Sequence, residues 1–372
     1  MNKNELSLLG KSFSGRTVLI TGHTGFKGSW LTAWLKLLGA NVVGIALDPP
    51  TEPSHFGAAQ MAGGMSDLRI NVCDQVALED AIISAQPDFV FHLAAQPLVR
   101  RSYDNPMETW QTNVLGTLHV LEALRKLDKH CAAVIITSDK CYDNVEWVWG
   151  YRETDRLGGK DPYSASKGMA ELVIRTYVES FFQSPDSNVR IGIARAGNVI
   201  GGGDWAIDRI VADCMRAWSE GGTVDIRSPS ATRPWQHVLE PLSGYLALAA
   251  RLSVDRSKHG EAYNFGPPAH QNHPVSELID EMAKSWSHVR WNDTSQSKTY
   301  PHEAGLLKLN CDKALFDLNW MPTLDFEETV RMTVQWYKFF YEHDLDSMRD
   351  YTIGQIEEYT RIAQERKLEW VN

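Results

Sequence analysis

Short apolar runs and longer amphipathic stretches alternate through the first half of the chain. Residues 17–20 form a β-branched, apolar run of strand length, and residues 29–38 are long and apolar enough for a core-facing helix. The pattern then repeats. Residues 42–47 predict a second strand, 68–72 a third, 75–84 a helix and 88–93 a fourth strand. Residues 114–127 predict a helix with Val114, Leu118, Leu121, Ala123, Leu124 and Leu127 as its apolar positions, followed by strands over 133–137 and 189–194. Such alternation predicts a parallel sheet with helices on both faces, a doubly wound (Rossmann) α/β fold. Ligands of these sheets sit beyond the carboxyl ends of the strands.

After Asn198 the alternation breaks. Gly201-Gly202-Gly203 predicts a turn, 207–218 a helix, 227–235 a loop, 240–252 and 275–286 helices with a strand near 262–265 between them, and 325–341 a long amphipathic helix. The organisation expected is a dinucleotide-binding domain over 10–198, to which 232–265 returns. A smaller mixed α/β substrate domain takes 199–231 and 266–345, and 346–372 is a C-terminal helical extension, with a terminal helix over 353–370. The net charge of −10 over 372 residues argues against nucleic-acid or membrane-surface partners. The five cysteines show no paired CxxC spacing, so reduced thiols in a cytoplasmic protein and no metal centre are expected. Residues 1–15 carry no apolar core of signal-peptide length, and no apolar run elsewhere is long enough to span a membrane.

The candidate chemistry lies at the predicted strand ends. Gly22, Gly25 and Gly28, with Thr24, Phe26 and Lys27 between them, join the first strand to its helix. Glycines so placed let the turn close, let backbone approach a pyrophosphate, and present a helix N-terminus to it. Asp48, twenty residues after Gly28, ends the second strand where a carboxylate would hold the adenosine ribose hydroxyls of NAD. It would repel the 2′-phosphate of NADP, and Arg16 and Arg69 are too far away in sequence to be assigned as phosphate partners. Asp74 could contact the adenine or cap the following helix. Ala94, Ala95 and Gln96 could let a flat cofactor pass or form a tight loop, and His92 is expected as a hydrogen-bonded core histidine. Thr137, Ser138, Asp139 and Lys140 place hydroxyls, a carboxylate and an amine at the end of the fifth strand. Tyr163 and Lys167, four apart on a predicted helix, share a face. The ammonium, together with an oxidised nicotinamide, would lower the phenol from its usual pKa of about 10 and make it a general base for an alcohol.

Glycine turn, Asp48, Ser138 and the Tyr163/Lys167 pair together resemble the extended short-chain dehydrogenase/reductase superfamily, over about Arg16 to Val334. Asn113-Val114-Leu115-Gly116-Thr117 is similar to that superfamily's asparagine-bearing helix start and adds Asn113 to the cofactor side, beside Thr137. An acid directly after the Ser/Thr resembles the nucleoside-diphosphoglucose 4,6-dehydratases. The thymidine-linked members carry Asp-Glu there. Asp139-Lys140, with the stretches 147–153 and 201–205, resembles the CDP-glucose members.

The resemblance implies a cycle in which Tyr163 takes the C4 hydroxyl proton while hydride passes to NAD, with Ser138 bonded to the same oxygen. Loss of the C5 proton and of the C6 hydroxyl, with Asp139 as acid, then eliminates water before the hydride returns to C6. The product class is that of deoxy- and dideoxyhexoses of surface polysaccharide. Lys140 is either a neutral base for C5 or a charged stabiliser of the enolate. Arg233 matches the superfamily's arginine for the substrate diphosphate, with Asn198, Arg209, Tyr300 and His302 as further substrate candidates. A sugar-nucleotide 4-epimerase and a non-catalytic cofactor binder are the alternatives. Pairing through two long helices, as a homodimer or homotetramer, is expected.

Overall fold

The computed structural model describes residues 8–295 and 306–371. Its centre is one seven-stranded parallel sheet: β1 (Thr17–Thr21), β2 (Asn41–Ala46), β3 (Ser66–Arg69), β4 (Phe89–His92), β5 (Cys131–Ile136), β6 (Val189–Ala196) and β7 (Ala262–Phe265), in the spatial order β3-β2-β1-β4-β5-β6-β7. The doubly wound expectation is met. Every residue of β5 is buried, because helices cover both faces and the strand has no polar side to offer.

The strand bounds shift by a residue or two from the pattern reading, most plainly at the third. The third strand is at 66–69 instead of 68–72. It pairs with β2 from Val43↔Ser66 to Ala46↔Arg69, and its partner ends there. The apolar spacing of Leu68, Ile70 and Val72 therefore continues past the ladder that makes a strand. The strand near 262–265 joins the main sheet as β7, parallel to β6, with Ala262 opposite Ile193.

Seven of the helices bear on the site or its supports: α1 (Phe26–Leu37), α2 (Gln75–Ala85), α3 (Gly116–Leu124), α4 (Pro162–Tyr177), α5 (Leu239–Val254), α6 (Phe326–Glu342) and α7 (Met348–Glu365). The helical path into α3 starts earlier than the apolar pattern suggests, at Pro106–Trp110, and passes through a π turn at Gln111–Leu115. α6 opens with a capping box in which Asp325 and Glu328 satisfy each other's backbone N–H groups. α7 begins at Met348, five residues before the expected 353. Its buried positions include Thr352 and Gln355, which a hydrophobic pattern cannot register. Thr352 accepts the Trp336 indole N–H at 3.0 Å, and the Gln355 amide donates to the Met332 carbonyl at 2.8 Å.

The C-terminal segment is packed against the sheet's helices. Trp34 of α1 makes edge contacts with Tyr359 and Trp370. Glu240, at the start of α5, accepts the backbone N–H groups of Thr323 and Leu324 and the hydroxyl of Tyr359, and burial pushes its carboxyl up to about 7. The five cysteines are free. Among the described residues no helix is long and apolar enough to cross a membrane.

Several histidines lie in the core, His23, His55, His92 and His237 among them. His55, His92 and His237 are each pulled down to about 3 by burial. A histidine whose folded pKa is depressed takes up its proton on unfolding, so its contribution to stability is lost as pH falls from about 6.5 towards 3. Together the three should make unfolding free energy fall by up to about 4 kcal/mol per pH unit within that window. Urea midpoints measured across pH 4 to 7 should show this steep loss; a flat profile would show that these histidines are charged in the folded protein.

Candidate active site

The site is built along the carboxyl edge of the sheet. β1 delivers the chain into the glycine turn. Gly22 has φ +78°, and a Cβ there would stand 2.7 Å from the Ala94 backbone nitrogen, so the turn and the loop after β4 meet backbone to backbone. A Cβ on Gly28 would collide with the Gly22 carbonyl. α1 starts at Phe26 with Gly25 as its N-cap and no side chain on its first N–H groups, which leaves them available to an anion. The Thr24 hydroxyl instead donates to the Leu47 carbonyl at 2.9 Å and ties the turn to the end of β2. The Lys27 side chain is half-buried, its Nζ 6.0 Å from the centre of the Tyr245 ring, and burial pulls its amine down to about 7.

Asp48 stands just past β2 with its side chain 89% exposed, and its carboxylate lies 3.2 Å from Arg69 Nε. This corrects the expectation that Arg69 is too remote. Parallel register sets Ala46 beside Arg69, so two residues 21 apart in the chain share one strand end. Arg69 also pairs with Asp67 at 3.0 Å, and Asp67 with His23 at 2.7 Å. Arg16 is at the opposite edge, 3.6 Å from Asp88. Asp74 takes the capping role, accepting the Ala77 N–H at 3.1 Å.

The loop after β4 is braced rather than open. His92 is the satisfied core histidine expected, bonded to Thr21 at 2.6 Å and Thr117 at 3.1 Å. The Gln96 side chain is engaged by Leu98 and Thr109. Asn113, inside the π turn, accepts the Gln96 N–H at 2.8 Å and donates to Ser166 of α4 at 2.9 Å, so its amide links this loop to the helix of Tyr163. Ala94 and Ala95 are half-buried along the same edge.

At the end of β5, the Ser138 hydroxyl donates to Asp139 Oδ1 at 2.9 Å and accepts the Lys140 N–H at 3.2 Å, capping a short 3-10 turn over Asp139–Cys141. Asp139 is buried against Gly197, and Lys140 is half-buried. α4 is started one residue before Tyr163 by Asp161, whose carboxylate caps the Ser164 N–H, with Pro162 in the first turn. Tyr163 and Lys167 follow on one face, 7% and 6% exposed.

Burial pushes the Tyr163 phenol up to about 12, against the pull of a Ser138 hydrogen bond and the charge of Arg209, and it pulls the Lys167 amine down to about 8. Desolvation thus sets the phenol in the protein by itself, and the groups that lower it are Ser138 and Arg209. Thr137 donates to Glu171 at 2.5 Å, and Glu171 forms a two-pronged ion pair with Arg195, both bonds 2.8 Å and both residues buried. Neither Glu171 nor Arg195 stands out in the sequence; the one available signal is that Glu171 lies one helical turn beyond Lys167.

On the substrate side, Arg209 precedes the helix Ile210–Ser219, 3.3 Å from Asp204, and its charge reaches Tyr163. Asn198 adopts φ +40° just past β6. Arg233 is half-buried on a short strand paired with His273–Pro274, beside the buried Trp235. Tyr300 and His302 lie outside the described residues. Among the described residues no group of three or more His, Cys, Asp or Glu could hold a metal ion.

A glycine cradle and a Ser-Asp strand end thus share the carboxyl edge of one sheet, with the Tyr/Lys helix packed against the Ser-Asp end. The sequence profile of the GDP-mannose 4,6 dehydratase family matches residues 19–333. The chain belongs to this family. It is 47% identical to CDP-glucose 4,6-dehydratase of Salmonella typhimurium, over 89% of this chain and 93% of that one. A probable dTDP-glucose 4,6-dehydratase of Sinorhizobium fredii is 26% identical over 86% and 92%. Among solved folds, UDP-glucuronic acid 4-epimerase of Bacillus cereus, in complex with UDP-glucuronic acid and NAD, superposes with a TM-score of 0.74 at 22% identity, covering 87% of this chain and 99% of that one.

Family membership leaves open how the parts of the site are held together, and Glu171–Arg195 is the testable element. Arg195→Met should strand a buried carboxylate and destabilise the protein by about 3–5 kcal/mol, whereas the double variant Glu171→Met/Arg195→Met should recover most of that loss. Denaturant unfolding of both measures it; equal losses in the two would show that packing, not charge pairing, is at work.

Proposed function

We propose that the protein converts CDP-glucose to CDP-4-keto-6-deoxyglucose and water by an internal oxidation, elimination and reduction, as a hydro-lyase. The observation that carries this reading is the buried Asp139 carboxylate, hydrogen-bonded to Ser138 beside Tyr163. Epimerisation needs a base for one hydroxyl. Elimination needs in addition an acid for a second, and Asp139 is that group. The 47% identity to a CDP-glucose enzyme supports the cytidine nucleotide.

The residues present fit NAD. The glycine cradle, where a Cβ on Gly22 or Gly28 would collide with backbone, and the side-chain-free start of α1 suit the pyrophosphate, and the exposed Asp48 carboxylate suits ribose hydroxyls. Arg69, a feature that would suit a 2′-phosphate, is neutralised by Asp48 and Asp67. NAD supplies, when bound, a hydride acceptor at C4 that is restored at C6 within the same turnover.

The protein's own groups do the rest. Tyr163 takes the C4 hydroxyl proton, and its phenolate is favoured by Ser138 and Arg209. Ser138 bonds the sugar oxygen. Asp139 protonates the C6 hydroxyl as it leaves, and Lys140 takes the C5 proton and, after exchange with solvent, protonates C5 again. Arg233 and Arg209 bind the diphosphate, with Asn198 at the sugar. A cytoplasmic setting fits the free thiols, and supply of deoxyhexoses for surface polysaccharide fits the product. A dimer or tetramer fits the apolar side chains of Leu115, Met169 and Leu172, exposed at the start of α3 and on α4.

Purified protein offered CDP-, dTDP-, UDP- and GDP-glucose should form 4-keto product fastest from CDP-glucose; a 4-epimer product, or preference for another base, overturns the reading. Two variants divide the cycle. Asp139→Asn should oxidise C4 and accumulate NADH absorbance, its overall rate falling by about 10²–10⁴-fold. Lys140→Met, run in deuterated water, should oxidise C4 yet incorporate little deuterium at C5. Exchange at the wild-type rate would remove Lys140 from the role of base.

A further inference from the structure

We propose that Gln236 is a positioning residue for the catalytic acid: through one water held in a cavity between them it caps Asp139 Oδ2, so that the carboxyl keeps and delivers its proton at Oδ1. This rests on the dehydratase reading above.

Side chains grip the carboxyl on one side only. Ser138 donates to Oδ1 at 2.9 Å, and no hydrogen bond reaches Oδ2 from the described residues. Oδ2 is pressed against Gly197, just past the end of β6, where a Cβ would collide with it. The same glycine is held by Gln236. The Gln236 backbone is set by a short strand, Gln236–His237, that pairs in parallel with Val199–Ile200. Its side chain is 2% exposed, and its amide nitrogen donates to the Gly197 carbonyl at 2.8 Å and to the Phe265 carbonyl at 3.2 Å. A carbonyl only accepts, so turning the amide over would set its oxygen on two acceptors. The two bonds therefore fix which way Oε1 points. That oxygen is buried and meets no donor among the described residues.

Asp139 and Gln236 line one cavity of about 10 Å³, whose other walls, among them Pro234, Pro267 and Leu309, offer no polar side chain. A cavity of that size takes one water, and such a water needs at least two polar partners. The amide oxygen and the carboxylate are those partners. Both are acceptors, so the water donates one hydrogen to each. Oδ2 then already receives a hydrogen, and the proton of the acid resides on Oδ1, next to Ser138. When Ser138 turns its own hydrogen to the sugar oxygen, Oδ1 is released while Oδ2 stays capped. In the elimination the C6–O bond breaks with its electron pair on oxygen, the proton on Oδ1 passes to that oxygen, and water leaves. Without the cap the proton has two oxygens to occupy, and one of them faces the protein instead of the sugar.

A crystal structure of the wild-type protein with NAD bound should show one water within about 3.2 Å of both Gln236 Oε1 and Asp139 Oδ2. A structure that resolves ordered waters around the site and has none there overturns the proposal. Gln236→Met keeps the length of the side chain but has no amide oxygen. Mixed rapidly with CDP-glucose, this variant should bind the substrate and reduce NAD as the wild type does. NADH absorbance should then persist, with 4-keto-6-deoxy product forming at least about tenfold more slowly. Elimination within threefold of wild type overturns the proposal. So does equal slowing of oxidation and elimination, the mark of a merely structural role, because loosening Gly197 also displaces its neighbour Asn198, placed at the sugar. Should Gln236→Met fail to fold, Gln236→Asn carries the same expectations, since it keeps an amide but withdraws it by one methylene. If the wild-type protein makes no 4-keto product from any of the four sugar nucleotides, the dehydratase reading fails instead, and that failure is seen before any variant is compared.

Discussion

The site depends on one buried ion pair. Glu171 extends from the helix that carries Tyr163 and Lys167, and both its oxygens are held by Arg195 of β6 at 2.8 Å. The same carboxylate accepts the Thr137 hydroxyl, one residue before Ser138. One side chain thereby fixes the catalytic helix against the strand end that bears Ser138 and Asp139. Arg195 also reaches the Tyr142 hydroxyl at 2.7 Å and the Glu153 carbonyl at 3.1 Å, which orders the chain beyond that strand end. Two desolvated charges are costly unless their remaining hydrogen-bond capacity is met, and here the two bonds that Arg195 donates to Tyr142 and Glu153, and the one that Glu171 accepts from Thr137, meet much of it. The second brace is neutral. Asn113 joins the loop after β4 to Ser166, so α4 is gripped from both sides.

Within this frame the carboxyl edge of the sheet holds two lysines, Lys27 and Lys167, and two buried carboxylates, Asp139 and Glu171. Burial lowers both lysines and raises Tyr163. Desolvation thus favours the neutral form of each of these three groups. Such a setting suits chemistry in which a proton is taken from one oxygen and given to another within the same closed space.

The far end of the cleft uses charge differently. Asp48, Arg69, Asp67 and His23 form a chain of contacts from the exposed end of β2 to a buried imidazole. The guanidinium is shared by two carboxylates, which leaves the strand end net negative and suited to hydroxyl donors. The stacking of Arg69 over Phe56, at 5.5 Å, further restricts where its charge can point.

The amino-acid sequence by itself determined the doubly wound fold, the glycine turn, Asp48, the Ser138–Asp139 strand end and the Tyr163/Lys167 face, because each is a local pattern: an apolar run, a turn that only glycine permits, or a spacing on one helix. Only the tertiary structure decided which distant residues share a strand end or a cleft. Parallel register, not chain proximity, put Arg69 on Asp48. The crossing of β6 and α4 made Glu171 and Arg195 partners. The third strand stopped at Arg69 because its neighbour did, while the apolar spacing ran on. Lys27 Nζ, carried on α1, lies 6.0 Å from the centre of the Tyr245 ring of α5. Side-chain direction and desolvation are properties of the packed molecule, and no spacing along the chain encodes them.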